Sequence, residues 1–200
     1  GHQKLWEIRK AEIHATLDRF VGKEKDYFEA AREVPAHFEA SFGMIPRQQS
    51  DPLSTAEPLI IDSASAPIGL MGKVDRIDVS GGDAGRRHFS VLDYKTGKHA
   101  PSSNAIVQGE SLQLPLYTAW AKGALGADYG LHKASFYLLK SGEKKCQIPT
   151  RDTSWEDAWG LARQFIQDYV ESIRGGMFPM GEKKCSPYCR YGAVCRIGEE

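Results

Sequence analysis

The sequence has no net charge, no long apolar run and one cysteine outside its last sixteen residues. Lysine and arginine together number 26, and so do aspartate and glutamate. That balance argues against a partner held by bulk positive charge, yet it allows an enzyme that grips a polyanion through a few local cations and a metal. Basic residues do cluster locally, at Arg86-Arg87-His88, from Lys95 to His99, at Lys144-Lys145 and at Lys183-Lys184. No stretch approaches the roughly 20 consecutive apolar residues of a membrane-spanning helix. Gly1-His2-Gln3-Lys4 has no apolar segment behind its charge and is not a signal peptide. Together these absences point to a cytoplasmic protein. The missing initiator Met points to a fragment of a larger one. There is no internal repeat and no low-complexity tract.

Apolar residues make up 41% and charged residues 26%, proportions that exclude a disordered chain and fit a globular domain. Two hundred residues are enough for one such domain. Of the four cysteines, Cys185, Cys189 and Cys195 fall within eleven residues and Cys146 stands apart. Three clustered thiols make a poor disulfide framework, so a metal or redox role is the better expectation.

Leu5, Ile8, Ile13, Leu17, Phe20 and Val21 recur at near-helical spacing, which predicts a helical N-terminal region over residues 1–33 that Gly22 interrupts or ends. Val34-Pro35 switches the chain to extended structure, with a strand over Ala36 to Phe42. Residues 43–57 read as a loop. Strands are expected at Leu59 to Ile61, Ile68 to Val79 and His88 to Tyr94, the last two joined by the Gly/Asp-rich turn from Ser80 to Arg86. Pro101 to Gln108 reads as a loop. Glu110 to Gly123 reads as a helix that tolerates Pro115 only in its first turn. Ala134 to Leu139 and residues 145–149 form a second strand pair across Ser141-Gly142-Glu143. Trp155 to Arg174 carries one apolar stripe, capped by Thr153 or Ser154 and stopped by Gly175-Gly176. The organisation is one domain over 1–200: a helical region at 1–33, the sheet and following helix at 34–150, a long helix at 151–176 and a cysteine tail at 177–200.

The chemistry concentrates at Gly72-Lys73-Val74-Asp75 and Asp93-Tyr94-Lys95-Thr96-Gly97. Side chains two apart on a strand share a face, so Asp93 and Lys95 project together and Tyr94 points away. A regular hairpin centred on Ala84 pairs residues whose numbers sum to 168, which sets Asp75 opposite Asp93. Directly opposed Cβ atoms lie about 4.5–5.5 Å apart, and like charges there repel. A cation, a shared proton or a bulge resolves the conflict. A hard divalent ion with oxygen ligands is the natural choice, with Lys95 beside it to steer a water or stabilise charge on a phosphate. The plain alternative is a wet hairpin face bearing a salt-bridge ladder.

These two segments resemble the central motifs of the PD-(D/E)XK nucleases, in particular the RecB/AddB-type exonuclease branch that includes CRISPR-associated exonucleases. The branch writes them G-x-x-D and D-Y-K-T/S. Gln113-Leu114-Pro115-Leu116-Tyr117 resembles its Q-x-x-x-Y motif, in which Gln113 and Tyr117 share a helix face. Core packing of Tyr117 with Leu112, Leu116 and Trp120 is the alternative. Pro35 to Gly43 resembles the segment carrying a further acidic residue, here Glu39, which could equally be a surface glutamate. The resemblance implies a restriction-endonuclease-like α/β fold, a central mixed sheet flanked by helices. It implies Mg²⁺ or Mn²⁺ held by Glu39, Asp75, Asp93 and the Tyr94 carbonyl, with Lys95 as the catalytic lysine. It also implies DNA as substrate and a helicase as partner in end processing, recombination and double-strand-break repair. The branch's helix histidine has no good counterpart, since His14 lacks its small-residue context. Cys185-x3-Cys189-x5-Cys195 resembles the branch's iron–sulfur staple, with a first gap one residue longer than usual; such spacing also suits zinc. The fourth ligand is expected upstream, or at Cys146 if its strand end reaches the tail. The alternative is three metal-free thiols, or two joined as a disulfide.

Overall fold

The computed structural model describes residues 3–31, 33–80 and 87–178. Among them, five strands form one mixed sheet in the order β1-β4-β5-β6-β7, and β2 and β3 form a separate two-stranded ribbon. The elements run α1 (Gln3–Ala31), β1 (Glu33–Phe42), β2 (Leu59–Ile61), β3 (Ile68–Leu70), β4 (Gly72–Ser80), β5 (Arg87–Lys95), α2 (Ser103–Val107), α3 (Gln113–Leu125), β6 (Tyr129–Leu138), β7 (Glu143–Ile148) and α4 (Trp155–Arg174). Only β5 and β6 run parallel, and α2 and α3 make the crossover that a parallel pair requires. This is the α/β fold expected, a mixed sheet flanked by helices.

Helices cover both faces. Ile106 of α2, Leu114 and Trp120 of α3 and Trp155 and Ala158 of α4 close one core with Ile77, Phe89, Val91, Ala134 and Phe136 of the sheet. On the opposite face α1 lies over the sheet through Phe20, Glu24 and Tyr27, spaced four and three apart on one side of the helix.

The predicted elements need four corrections. Gly22 neither ends nor splits α1, which is continuous over 29 residues. An interior glycine costs a helix about 1 kcal/mol relative to alanine, too little to break one this long. Of the apolar residues whose spacing marks α1, Leu5, Ile8, Ile13, Leu17 and Val21 are exposed. The long strand expected from Ile68 divides at Met71 into β3, which pairs β2, and β4, which pairs β1 and β5. The loop expected over 101–108 contains α2, capped by Ser102, whose side chain accepts the Ala105 N–H. The helix expected from Glu110 begins at Gln113, so Pro115 does sit in its first turn, where its missing N–H costs nothing. α4 matches its expected bounds, and Ser154 is its cap. The 81–86 turn lies outside the described residues.

Candidate active site

β4 and β5 pair with the expected register, from Val79↔Phe89 to Arg76↔Leu92. The next step would pair Asp75 with Asp93, and there the ladder stops. Asp75 Oδ2 instead accepts the Tyr94 backbone N–H at 2.7 Å. The same level is irregular on the other side. Phe38↔Arg76 and Ala40↔Val74 bracket Glu39 and Asp75, which do not pair, and Glu39 has φ +53°. The pleat breaks here: Val74 joins Ile77 in the α3 core, whereas strict alternation would put it beside Arg76 under α1. Three carboxylates on three adjacent strands thus stand at one level, where regular pairing would force like charges together.

Asp93 is the buried member, 2% exposed. Its Oδ1 accepts from Gln113 Nε2 at 2.6 Å. Lys95 Nζ lies 2.5 Å from Oδ2 as an ion pair, but out of hydrogen-bond alignment, so that oxygen takes no aligned donor. Lys95 Nζ also donates to Gln113 Oε1 at 2.9 Å and stands 4.9 Å from the Phe136 ring centre. Gln113 therefore ties the aspartate and the lysine into one ring of contacts. Burial pushes the Asp93 carboxyl up, Lys95 opposes it, and the charge of Asp75 adds to the push. Tyr94 points to the other face, where its hydroxyl accepts from Arg76 at 3.1 Å.

Tyr117 touches both Gln113 and the core. Its hydroxyl is 3.3 Å from Gln113 Nε2, and its ring packs edge-on against Phe42. Gly72 explains the glycine of its motif: a Cβ there would lie 2.7 Å from the Phe42 ring and 3.0 Å from Tyr117. A side chain there would have to displace the Phe42 ring and crowd the Tyr117 ring beside Gln113.

Glu39 is not brought to the pair. It is exposed and forms an ion pair with Lys73. Lys73 is held up first by its hydrogen bond and charge contact with Glu39, and more weakly by Asp75. Lys73 was missed from sequence, although its place two before Asp75 in β4 was a signal. Arg76 and Asp78 were also passed over: they form a buried bidentate pair under α1. His14 lies on α1, away from these residues in sequence and element.

The residues present fit a divalent cation. The donors are hard carboxylate oxygens, and Asp93 Oδ2 lacks an aligned donor. Among the described residues no three His, Cys, Asp or Glu side chains stand close enough to make a cage. Cys185, Cys189 and Cys195 lie outside the described residues. Burial pushes the Cys146 thiol up to about 11.

Residues 2–196 match the PD-(D/E)XK nuclease superfamily. The chain belongs to this superfamily. Its members generally use divalent metals such as Mg²⁺ or Mn²⁺. The chain is also 32% identical, over 111 residues, to the B subunit of the ATP-dependent helicase/deoxyribonuclease of Moorella thermoacetica. The match covers 55% of this chain and 9% of that protein, so the chain corresponds to a small share of the relative's length. Among the described residues no helix of this nuclease-family chain is long and apolar enough to cross a membrane.

Proposed function

We propose that the chain hydrolyses DNA phosphodiester bonds with Mg²⁺ or Mn²⁺, acting as an exonuclease at DNA ends beside a helicase in recombination and double-strand-break repair. The observation that carries this is the closed set of contacts among Asp93, Lys95 and Gln113, beside Asp75, at the end of the central strand pair. A surface salt-bridge ladder does not bury its aspartate or seat its lysine on a helix glutamine.

Asp75 and Asp93 would hold the cation, with the Tyr94 carbonyl and Glu39 as further oxygen donors. When bound, the cation supplies Lewis-acid stabilisation of the charge that builds on the phosphate. Lys95 Nζ, steered by Gln113, donates hydrogen bonds to the attacking water or to a phosphate oxygen. Gln113 is a positioning residue for both Asp93 and Lys95, and Tyr117 steadies Gln113 through the hydroxyl contact. Asp75 also pins the Tyr94 N–H, which fixes where β5 delivers Lys95. The helicase partner is supported by the relative's name. The tail cysteines would hold an iron–sulfur cluster in the longer protein, which iron and sulfide analysis after anaerobic purification tests.

One observation favours a second reading, a DNA-binding module without cleavage: Glu39 is engaged with Lys73 rather than with the aspartates. Incubation of end-labelled single- and double-stranded linear DNA with Mg²⁺ or Mn²⁺ separates the two. The nuclease reading expects metal-dependent cleavage that Asp93→Ala and Lys95→Ala each abolish. Binding without cleavage, or cleavage that both variants retain, contradicts it.

A further inference from the structure

Beside the carboxylates, on the outer side of β1, lies a cavity of about 620 Å³ that shares Glu39 and Lys73 with the candidate site. Its volume falls within the ~300–1,000 Å³ of ligand-sized pockets. Its wall comes from β1 and the 43–51 segment, including Phe38, Ile45, Arg47 and Gln48. The backbone of this wall is held fast. Asp51 accepts the Phe38 N–H at 3.0 Å and the Leu53 N–H at 2.9 Å and contacts His37 at 3.0 Å. Ser54 Oγ accepts the Ser41 N–H at 3.0 Å, and Gly43 N–H donates to the Glu57 carbonyl. The loop thus takes up hydrogen bonds along an edge strand of the sheet.

The side chains on this braced frame are free. Phe38 is 52% and Ile45 87% exposed. Among the described residues the Arg47 guanidinium has neither an ion pair nor a hydrogen bond. The carboxylates of the wall are already engaged, Asp51 as above and Glu39 with Lys73. What remains is an aromatic face, an apolar neighbour and an unpaired guanidinium, next to a site read as cutting phosphodiesters. An exposed ring can stack only on a base that is not paired and stacked in a duplex. A guanidinium forks onto a phosphate.

We propose that this cavity cradles the single-stranded segment adjoining the bond to be cut, with Phe38 stacking a base and Arg47 holding a backbone phosphate. The proposal rests on the nuclease reading for its substrate, but its test does not depend on cleavage. Anisotropy of a labelled oligothymidylate of about ten nucleotides, within the ~4–16 nucleotide range of single-strand sites, is read in EDTA beside a duplex of equal length. Phe38→Ala is expected to weaken single-strand binding about tenfold, while Phe38→Trp keeps it, because an indole also stacks. Arg47→Ala should weaken it too and lower the salt slope by about 0.7. Duplex binding should change little in either variant. Both side chains are exposed, so melting temperatures should match the parent and a folding defect would be visible.

Unchanged binding in Phe38→Ala, an equal loss in Phe38→Trp, an equal loss on duplex, or no single-strand binding by the parent would each overturn the cradle. Cleavage with Mn²⁺, measured in parallel, keeps the two ideas apart. Phe38-dependent binding without parental cleavage sinks the nuclease reading alone. Cleavage with Phe38-independent binding sinks the cradle alone.

Discussion

Asp78 and Asp93 sit on neighbouring strands and are equally hidden, 0% and 2% exposed. Burial pushes both carboxyls up. Their partners differ. Asp78, on the α1 side, receives two nitrogens of Arg76 at 2.5 and 2.7 Å, and Arg76 is further held by Glu24 and Tyr94. Asp93, on the α3 side, receives Gln113 on one oxygen and faces Lys95 on the other without alignment. A buried carboxylate that serves only the fold saturates its lone pairs, because each unsatisfied one is costly. Asp93 keeps one oxygen short of an aligned donor beside a second carboxylate, as a ligand requires; under α1, Glu24 Oε1 is likewise without a donor but belongs to the Arg76 ion pair. The two faces of the sheet therefore divide the work: ion pairing under α1 and chemistry under α3.

That division breaks first if Arg76 proves dispensable. Arg76→Ala strands Asp78 and Glu24, and should cost about 3–5 kcal/mol in urea melts, as loss of one buried partner does. A change under about 1 kcal/mol would mean that water enters the α1 side freely. Gln113→Ala removes the one aligned donor to buried Asp93, so it should cost about 1–3 kcal/mol in the melt and lower cleavage by the still-folded chain about 10–100-fold, the usual effect of losing a group that orients a metal-site residue. Unchanged cleavage by the folded variant would make Gln113 merely structural.

Lys144 sharpens the α1 side. Burial pushes its ammonium down to about 8, and its Nζ, against the Tyr27 ring, finds no hydrogen-bond acceptor. Its folded pKa lies below the unfolded one, so the unfolded chain binds more protons as pH rises from about 8 toward 10.4, and stability rises with it. Lys144→Met should thus melt higher than the parent at neutral pH, and the gain should shrink through that window. A gain that is independent of pH would contradict the sign. The smallest effect belongs to Glu39→Ala: its ion pair with Lys73 is exposed, so the melt should not move, while metal-dependent cleavage should fall. Unchanged cleavage would remove Glu39 from the site.

Much of this geometry was legible in the residues. The Gly/Asp-rich turn and the apolar runs around it gave the sum-168 register, and the two-residue repeat placed Lys95 beside Asp93. The stripe from Trp155 to Ile173 and the Ser154 cap marked α4. What escaped depends on contacts distant in sequence. Arg76-Ile77-Asp78 looks like any charged strand until Glu24, 52 positions earlier, closes on Arg76. The break in pleat at Asp75 depends on Glu39 and its positive φ, which no local pattern announces. α2 is a single turn whose five residues carry too little periodicity to stand out.

The most direct test of the central claim is melting with and without Mn²⁺ for the parent, Asp93→Asn and Asp78→Asn. A cation bound only by the folded chain raises the melting temperature. The parent should gain on adding Mn²⁺. Asp78→Asn should melt lower but keep that gain. Asp93→Asn leaves unpaired only the partly exposed Lys95, not a buried guanidinium, so it should melt close to the parent without metal, and it should lose the gain. A metal-induced shift that survives in Asp93→Asn and disappears in Asp78→Asn would place the cation on the wrong face of the sheet and contradict the account.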